Sequence, residues 1–123
     1  MADARPSRAL PRSARLQRGR EFAEVRRDGQ RCVCGCLIAN WKPLPPGATS
    51  RLGVVTSRKI GSAVVRNRAR RLLREAFRLN RHQLLRPLML VLVARGSIPG
   101  KPLAEVERDL LQALRRGRML QSA

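Results

Sequence analysis

Aromatic residues are almost missing from this chain of 123 residues: Phe22, Trp41 and Phe77 are the only ones, and there is no Tyr. A sheet that binds RNA by stacking several bases on exposed rings therefore has little to build with, so backbone electrostatics must carry more of any nucleic-acid contact. Acidic residues are scarce as well, with 8 Asp plus Glu against 27 Lys plus Arg. The one His and the scattered carboxylates leave a hydrolytic triad without support, so no catalytic residue is assigned. No apolar run approaches the roughly 20 residues that span a bilayer, and the strongest, Leu88 to Ala94, has strand length. Gly53 and Gly61 have neither Walker spacing nor the dinucleotide fingerprint, so no NTP is expected. Met1 to Gly19 carries Arg5, Arg8, Arg12, Arg15 and Arg18 without the apolar stretch of a secretory signal. Pro6 and Pro11 would interrupt an amphipathic transit helix, so residues 1–15 are expected to be a flexible basic arm. Cys32, Cys34 and Cys36 are odd in number and too closely spaced for ordinary disulfide geometry, which fits reduced thiols in the cytoplasm.

What is present is charge and enough apolar residue to fold. The net charge is +19, and hydrophobic residues make up 43% of the chain, so one domain over residues 16–117 is expected, followed by a short tail at 118–123. So basic a surface concentrates polyanions, with nucleic acid the leading class and an anionic membrane or acidic protein the alternatives. Glu21 to Arg27 has helical spacing and stops at Asp28-Gly29. Cys32 through Trp41 suits a strand, the prolines of Lys42 to Gly47 a loop, and Arg51 to Ser57 a second strand. Ser62 is a candidate N-cap for a long helix from Ala63 to about Asn80, with an apolar stripe at Val65, Ala69, Leu72, Ala76 and Leu79 broadened by Leu73 and Phe77. Leu88 to Ala94 is expected at the centre of a sheet, and Pro102 to Gly117 frames a last helix burying Leu103, Val106, Leu110, Ala113 and Leu114. The order α-β-β-α-β-α implies an α/β fold, an α+β two-layer sandwich with a mixed sheet of three to four strands packed by helices.

The central feature is Arg58-Lys59 at a strand end, followed on the helix by Arg66, Asn67, Arg68, Arg70, Arg71 and Arg74. Spacings of three and four put successive side chains about 5–6 Å apart at their roots, comparable to steps along a phosphate backbone. The guanidinium fork can hold two phosphate oxygens, and Asn67 can donate or accept at a sugar or base edge. A solvated helix face mixes its signs, whereas here only Glu75 relieves the repulsion, which costs roughly 0.2–0.5 kcal/mol per like-charged pair. The cysteine run invites a zinc reading, but thiols on one strand face stand about 7 Å apart per two-residue step, and His82 is expected to face solvent at a helix end. Glu21, Glu24 and Glu75 are read as charge balance, so no metal is assigned to the protein.

The stretch from Arg58 through Ile60, Gly61, Val65, Arg66-Asn67-Arg68 and Arg70-Arg71 to Arg74 and Phe77 resembles the signature of the bacterial ribonuclease P protein component. Phe22, Val25, Gly29, the strand Leu52 to Ser57 and Val91 to Arg95 follow the same pattern, and the likeness covers roughly Leu16 to Leu114. It implies a subunit of a ribonucleoprotein endoribonuclease, inactive alone, that assists a catalytic RNA in removing the 5′ leader from precursor tRNA. It further implies a monomer in a 1:1 complex with ribonuclease P RNA, no DNA or membrane partner, and Mg²⁺ held mainly by the RNA. Arg58, Lys59, Arg66, Asn67, Arg68, Arg70, Arg71 and Arg74 would contact the ribozyme RNA, and Phe22, Ile38 and Asn40 would line a cleft for the leader. The fold so implied has a left-handed βαβ crossover, against the usual hand. Arg26 and Asn40 stand where family members often carry rings, so leader binding here should lean on charge and hydrogen bonds. Trp41 points to the opposite face. A plain RNA-binding structural module fits the composition equally well, and the helix signature separates the two. A DNA-binding or membrane-surface protein is less well served, because the apolar stripe of the long helix is committed to a sheet.

Overall fold

No Pro or Gly interrupts Ala63 to Asn80, and the Ser62 hydroxyl accepts a hydrogen bond from the Val65 N–H at 3.4 Å, so the long helix forms where the sequence places it. The computed structural model describes Arg15 and residues 19–121; the expectation of a flexible arm at residues 1–15 lies outside the described residues except at Arg15, which is held by a bridge to Leu52. In chain order the elements are α1 (Gly19–Asp28), β1 (Gln30–Cys34), β2 (Leu37–Pro43), β3 (Arg51–Val55), α2 (Ala63–Asn80), β4 (Leu88–Ala94) and α3 (Leu103–Arg116). Single turns of 3-10 helix at Arg58–Ile60 and Arg81–Gln83 flank α2.

The expected single strand from Cys32 to Trp41 is corrected to a hairpin. The chain reverses at Gly35-Cys36, setting Cys34 opposite Leu37 and Gln30 opposite Trp41. Gly35 has φ +55 at the first position of a two-residue loop, where a positive φ matches the twist of the flanking strands. A Cβ at Gly35 would come within 2.2 Å of the Asp109 carboxylate of α3, which accepts the Cys36 N–H at 3.0 Å. The three thiols therefore do not march along one strand, and the order becomes α-β-β-β-α-β-α.

The four strands form one mixed sheet in the order β1-β2-β4-β3, with β3 parallel to β4 and the other pairs antiparallel. The apolar run of β4 lies inside the sheet, buried except at Val93, as the sequence predicts. One face packs Leu37, Ala39, Trp41, Leu52, Leu88, Leu90 and Leu92 against the inward faces of α2 and α3. α1 lies on the other face, where Val25, Met89 and Val91 form a smaller cluster with Phe22, Val55 and Val93 against it. The α2 stripe is centred on Ala69, Leu73, Ala76 and Phe77, while Val65 and Leu72 are only partly buried; it faces α3 as well as the sheet.

Gly117 caps α3 because the Trp41 indole occupies the space of its side chain: a Cβ there would lie 2.2 Å from Trp41 Cζ2. The helix then closes with Arg118 N–H donating to Arg115 O and Met119 N–H to Leu114 O, the pair of bonds typical of a left-handed cap. That puts Arg118 at φ 59, a region that costs a non-glycine residue about 1–2 kcal/mol. Beyond the cap, Leu120 bridges Leu84, Leu85 N–H donates to Met119 O, and Gln121 N–H donates to Gln83 O, stapling the chain after α3 to the entry of β4.

Candidate nucleic-acid interface

Seen down α2 at about 100° per residue, the polar residues span an arc from Arg66 through Arg70, Arg74, Asn67 and Arg71 to Arg68, and the buried residues fill the rest apart from Phe77, which falls between Arg66 and Arg70. Arg66 donates to Gly61 O at 3.0 Å and Arg70 to Asn67 Oδ1 at 2.9 Å, so two of these forks are held by local acceptors and aimed along the helix. Arg71 is exposed, as are Arg58 and Lys59 on the turn after β3. Arg68 stands apart: it lies at the margin opposite Arg66 and donates to Lys101 O at 3.1 Å. Glu75 relieves Arg78 alone, by an ion pair.

Arg74 is half-buried within the row. Burial lowers its pKa, and the like charges of Arg15 and Arg70 lower it further. Arg15 reaches this place because its backbone bridges Leu52 on the outer edge of β3 and its carbonyl accepts from Arg51 Nη2 at 3.0 Å. Sequence reasoning missed Arg15, since nothing local in a basic arm signals pairing with a strand. A polyphosphate backbone is the natural counterion for guanidinium groups gathered in this way.

The second part of the site is the α1 face of the sheet. Ile38 pairs with Val33 and Val93, and Asn40 pairs with Arg31 and Val91, so these side chains share the face on which α1 packs, with Phe22 at its rim. Trp41 lies on the opposite face, as strand alternation requires. Two ion pairs hold α1 across the strands: Glu24 with Lys42 at 2.8 Å, and Glu21 with Arg51. Val33, 38% exposed, and Arg31 belong to the same floor; both became visible only once the hairpin placed β1 beside β2. Val55 and Val93 close the floor at the end of β3 that leads directly into Arg58, Lys59 and the first turns of α2. An apolar floor that runs into a guanidinium row suits a single strand of nucleic acid, with bases on the floor and phosphates on the row.

The carboxylates are engaged elsewhere. Asp28 pairs with Arg27, Glu105 with Lys101 at 3.4 Å, and Glu107 accepts from Asn80 at 2.9 Å. Among the described residues no three His, Cys, Asp or Glu side chains converge on a metal-sized site, and no helix is long and apolar enough to cross a membrane. Burial and the Asp109 carboxylate push the Cys36 thiol up to about 12, and burial raises Cys34 as well. His82 is exposed in the turn after α2.

The family profile described as Ribonuclease P matches residues 10–118. The ribonuclease P protein component of Desulfovibrio desulfuricans is 40% identical over 110 residues, 87% of this chain and 85% of that one. That of Roseiflexus castenholzii is 39% identical over 114 residues, covering 93% and 88% of the two chains. The fold superposes on the RNase P protein of Staphylococcus aureus with a TM-score of 0.78 at 19% identity, covering 89% of this chain and all of that one. On the Thermotoga maritima protein the TM-score is 0.72 at 28% identity, with 83% and 96% covered. The chain belongs to the ribonuclease P protein family, whose members are the protein subunits that work with a catalytic RNA in maturing the 5′ end of tRNA.

Proposed function

We propose that this subunit divides its work between two surfaces: the arginine face of α2 holds the ribonuclease P RNA, and the α1 face of the sheet receives the single-stranded leader of precursor tRNA. The observation that carries the reading is the continuity of the two, an apolar floor of Val33, Ile38, Val93 and Val55 leading into Arg58, Lys59 and Arg66. Arg66, Asn67, Arg70, Arg71 and Arg74 track phosphates of the RNA, joined by Arg15. Arg68 supports the adjoining loop through Lys101. Phe22 and Ile38 offer apolar contact to leader bases, and the exposed Arg31 supplies polar contact where stacking rings are lacking, while Asn40 beside it is buried, 5% exposed, and supports the floor from within. Contact with the leader favours precursor over mature tRNA, because only the precursor carries it.

One protein acts with one RNA in the cytoplasm, and the RNA performs the cleavage with Mg²⁺ in its own grip. The pairing of every described carboxylate with a cation or an N–H donor supports placing that ion on the RNA. The test is single-turnover cleavage of a precursor tRNA by bacterial ribonuclease P RNA at limiting Mg²⁺, with and without the protein. Cleavage that requires the protein and yields mature 5′ ends supports the reading; an active ribozyme that never responds rejects it. In the same assay Phe22→Ala should narrow the preference for precursor over mature tRNA and leave ribozyme binding nearly intact. Equal loss toward both tRNAs rules out the leader cleft.

A further inference from the structure

A second basic surface lies at the far end of the molecule. A groove of about 720 Å³ opens between the turn after α2 and the chain that follows α3, lined among others by His82, Leu85, Arg115, Arg118, Leu120 and Gln121. At about 1.5 Å of rise per residue it lies on the order of 20 Å along α2 from Arg66, too far for the same phosphates. Among the described residues no carboxylate lines it. Neither Arg115 nor Arg118 has a side-chain hydrogen bond or ion pair among the described residues, whereas Gln121 is anchored by donating to Leu84 O at 3.2 Å.

Two features of this groove run against stability. Leu85 is 51% exposed in the groove, beside Leu120, which is partly buried against the core. Arg118 occupies the left-handed cap position at φ 59, where glycine or asparagine is the usual residue. Gly117 cannot take over that role, because it is already committed to the Trp41 indole one position earlier. A long cationic side chain stands in an unfavourable backbone conformation at the lip of a groove whose described lining carries no counter-charge, and that combination points to a ligand.

We infer that this groove is a second docking site for the ribonuclease P RNA, with Arg115 and Arg118 on phosphates and Leu85 and Leu120 against a base or sugar face. The charge calls for a polyanion, and the apolar lip calls for one that presents flat unsaturated surface between its charges, as an unpaired RNA segment does. The groove is built from the ends of α2 and α3 on the side of the sheet opposite α1, so it is separate from the surface assigned to the leader. The inference rests on family membership and not on the leader cleft.

The test is the salt dependence of binding between the full chain and ribonuclease P RNA. Arg118→Gly removes the guanidinium while easing the backbone, so this variant is expected to be at least as stable as the parent and a loss of binding cannot be ascribed to misfolding. The slope of log affinity against log salt should fall by about 0.7–0.9 for Arg118→Gly and by about twice that for Arg115→Ala/Arg118→Gly. Arg27→Gln, an equal charge change on α1 at a residue already paired with Asp28, should leave the slope unchanged. An unchanged slope in the double variant overturns the site, and so does an equal fall for Arg27→Gln, which would make the effect one of bulk charge. A polyglutamate peptide whose binding is lost in the double variant, while RNA binding is kept, would assign the groove to an acidic protein instead. Arg70→Ala/Arg71→Ala, measured in parallel, reports on the helix face independently.

Discussion

Trp41 and Gly117 form a single fitted pair: the ring fills the volume that any larger residue at 117 would need. Because the conflict is with a rigid indole and not the end of a flexible chain, Gly117→Ala should destabilise the fold by roughly 1–3 kcal/mol, read as a lower urea midpoint. The cysteines differ from one another in the same local way. Cys32 is partly exposed, while Cys36 is buried with its thiol pushed up to about 12 from 9.0. An aromatic disulfide reagent at pH 8 should therefore modify one thiol quickly and two slowly. Since Cys36 holds its proton more tightly in the folded chain, its contribution to stability is fully present below pH 9 and is lost as pH rises from 9 toward 12. A pH titration of the unfolding midpoint checks that direction.

At the scale of elements, α2, β4 and α3 were legible because each carries its own signal: a cap at Ser62, an unbroken apolar run at Leu88–Ala94, and Gly117 as a stop. The β1–β2 hairpin was not, because Cys32 to Trp41 keeps alternating small and apolar residues straight through the turn. Its signal was one glycine, and the partner that makes the glycine necessary is Asp109, far along the chain on α3. Asp109→Ala should leave the buried Cys36 N–H without an acceptor and cost about 1–3 kcal/mol in denaturant unfolding, with Asp109→Asn restoring part of the loss. The candidate site follows the same division. The arginine row could be read from helical spacing, whereas Arg15, Arg31 and Val33 entered only through strand pairings, and the groove at Arg118 joins segments too distant for any local pattern to reveal.

For the molecule as a whole, a charge of +19 on 123 residues outweighs every other influence outside the core. Most of the ion pairs are at least partly exposed and each is worth little, so screening them forfeits less than screening the repulsion among the other cations returns. Raising NaCl from low to moderate concentration should therefore raise the urea midpoint of the free protein, and a fall would mean that the pairs outweigh the repulsion. The same added salt weakens RNA binding, so stability of the free subunit and affinity for its partner respond in opposite directions. The single Trp, 3% exposed and pressed against the end of α3 in a chain without Tyr, also gives the protein a built-in optical label. Its emission should report the docking of α3 on the sheet with no competing fluorophore of comparable strength. RNA bound on the α1 face lies across the full thickness of the sheet from that ring, so a change in emission on binding there would signal rearrangement of the packed layers and not direct quenching by a base.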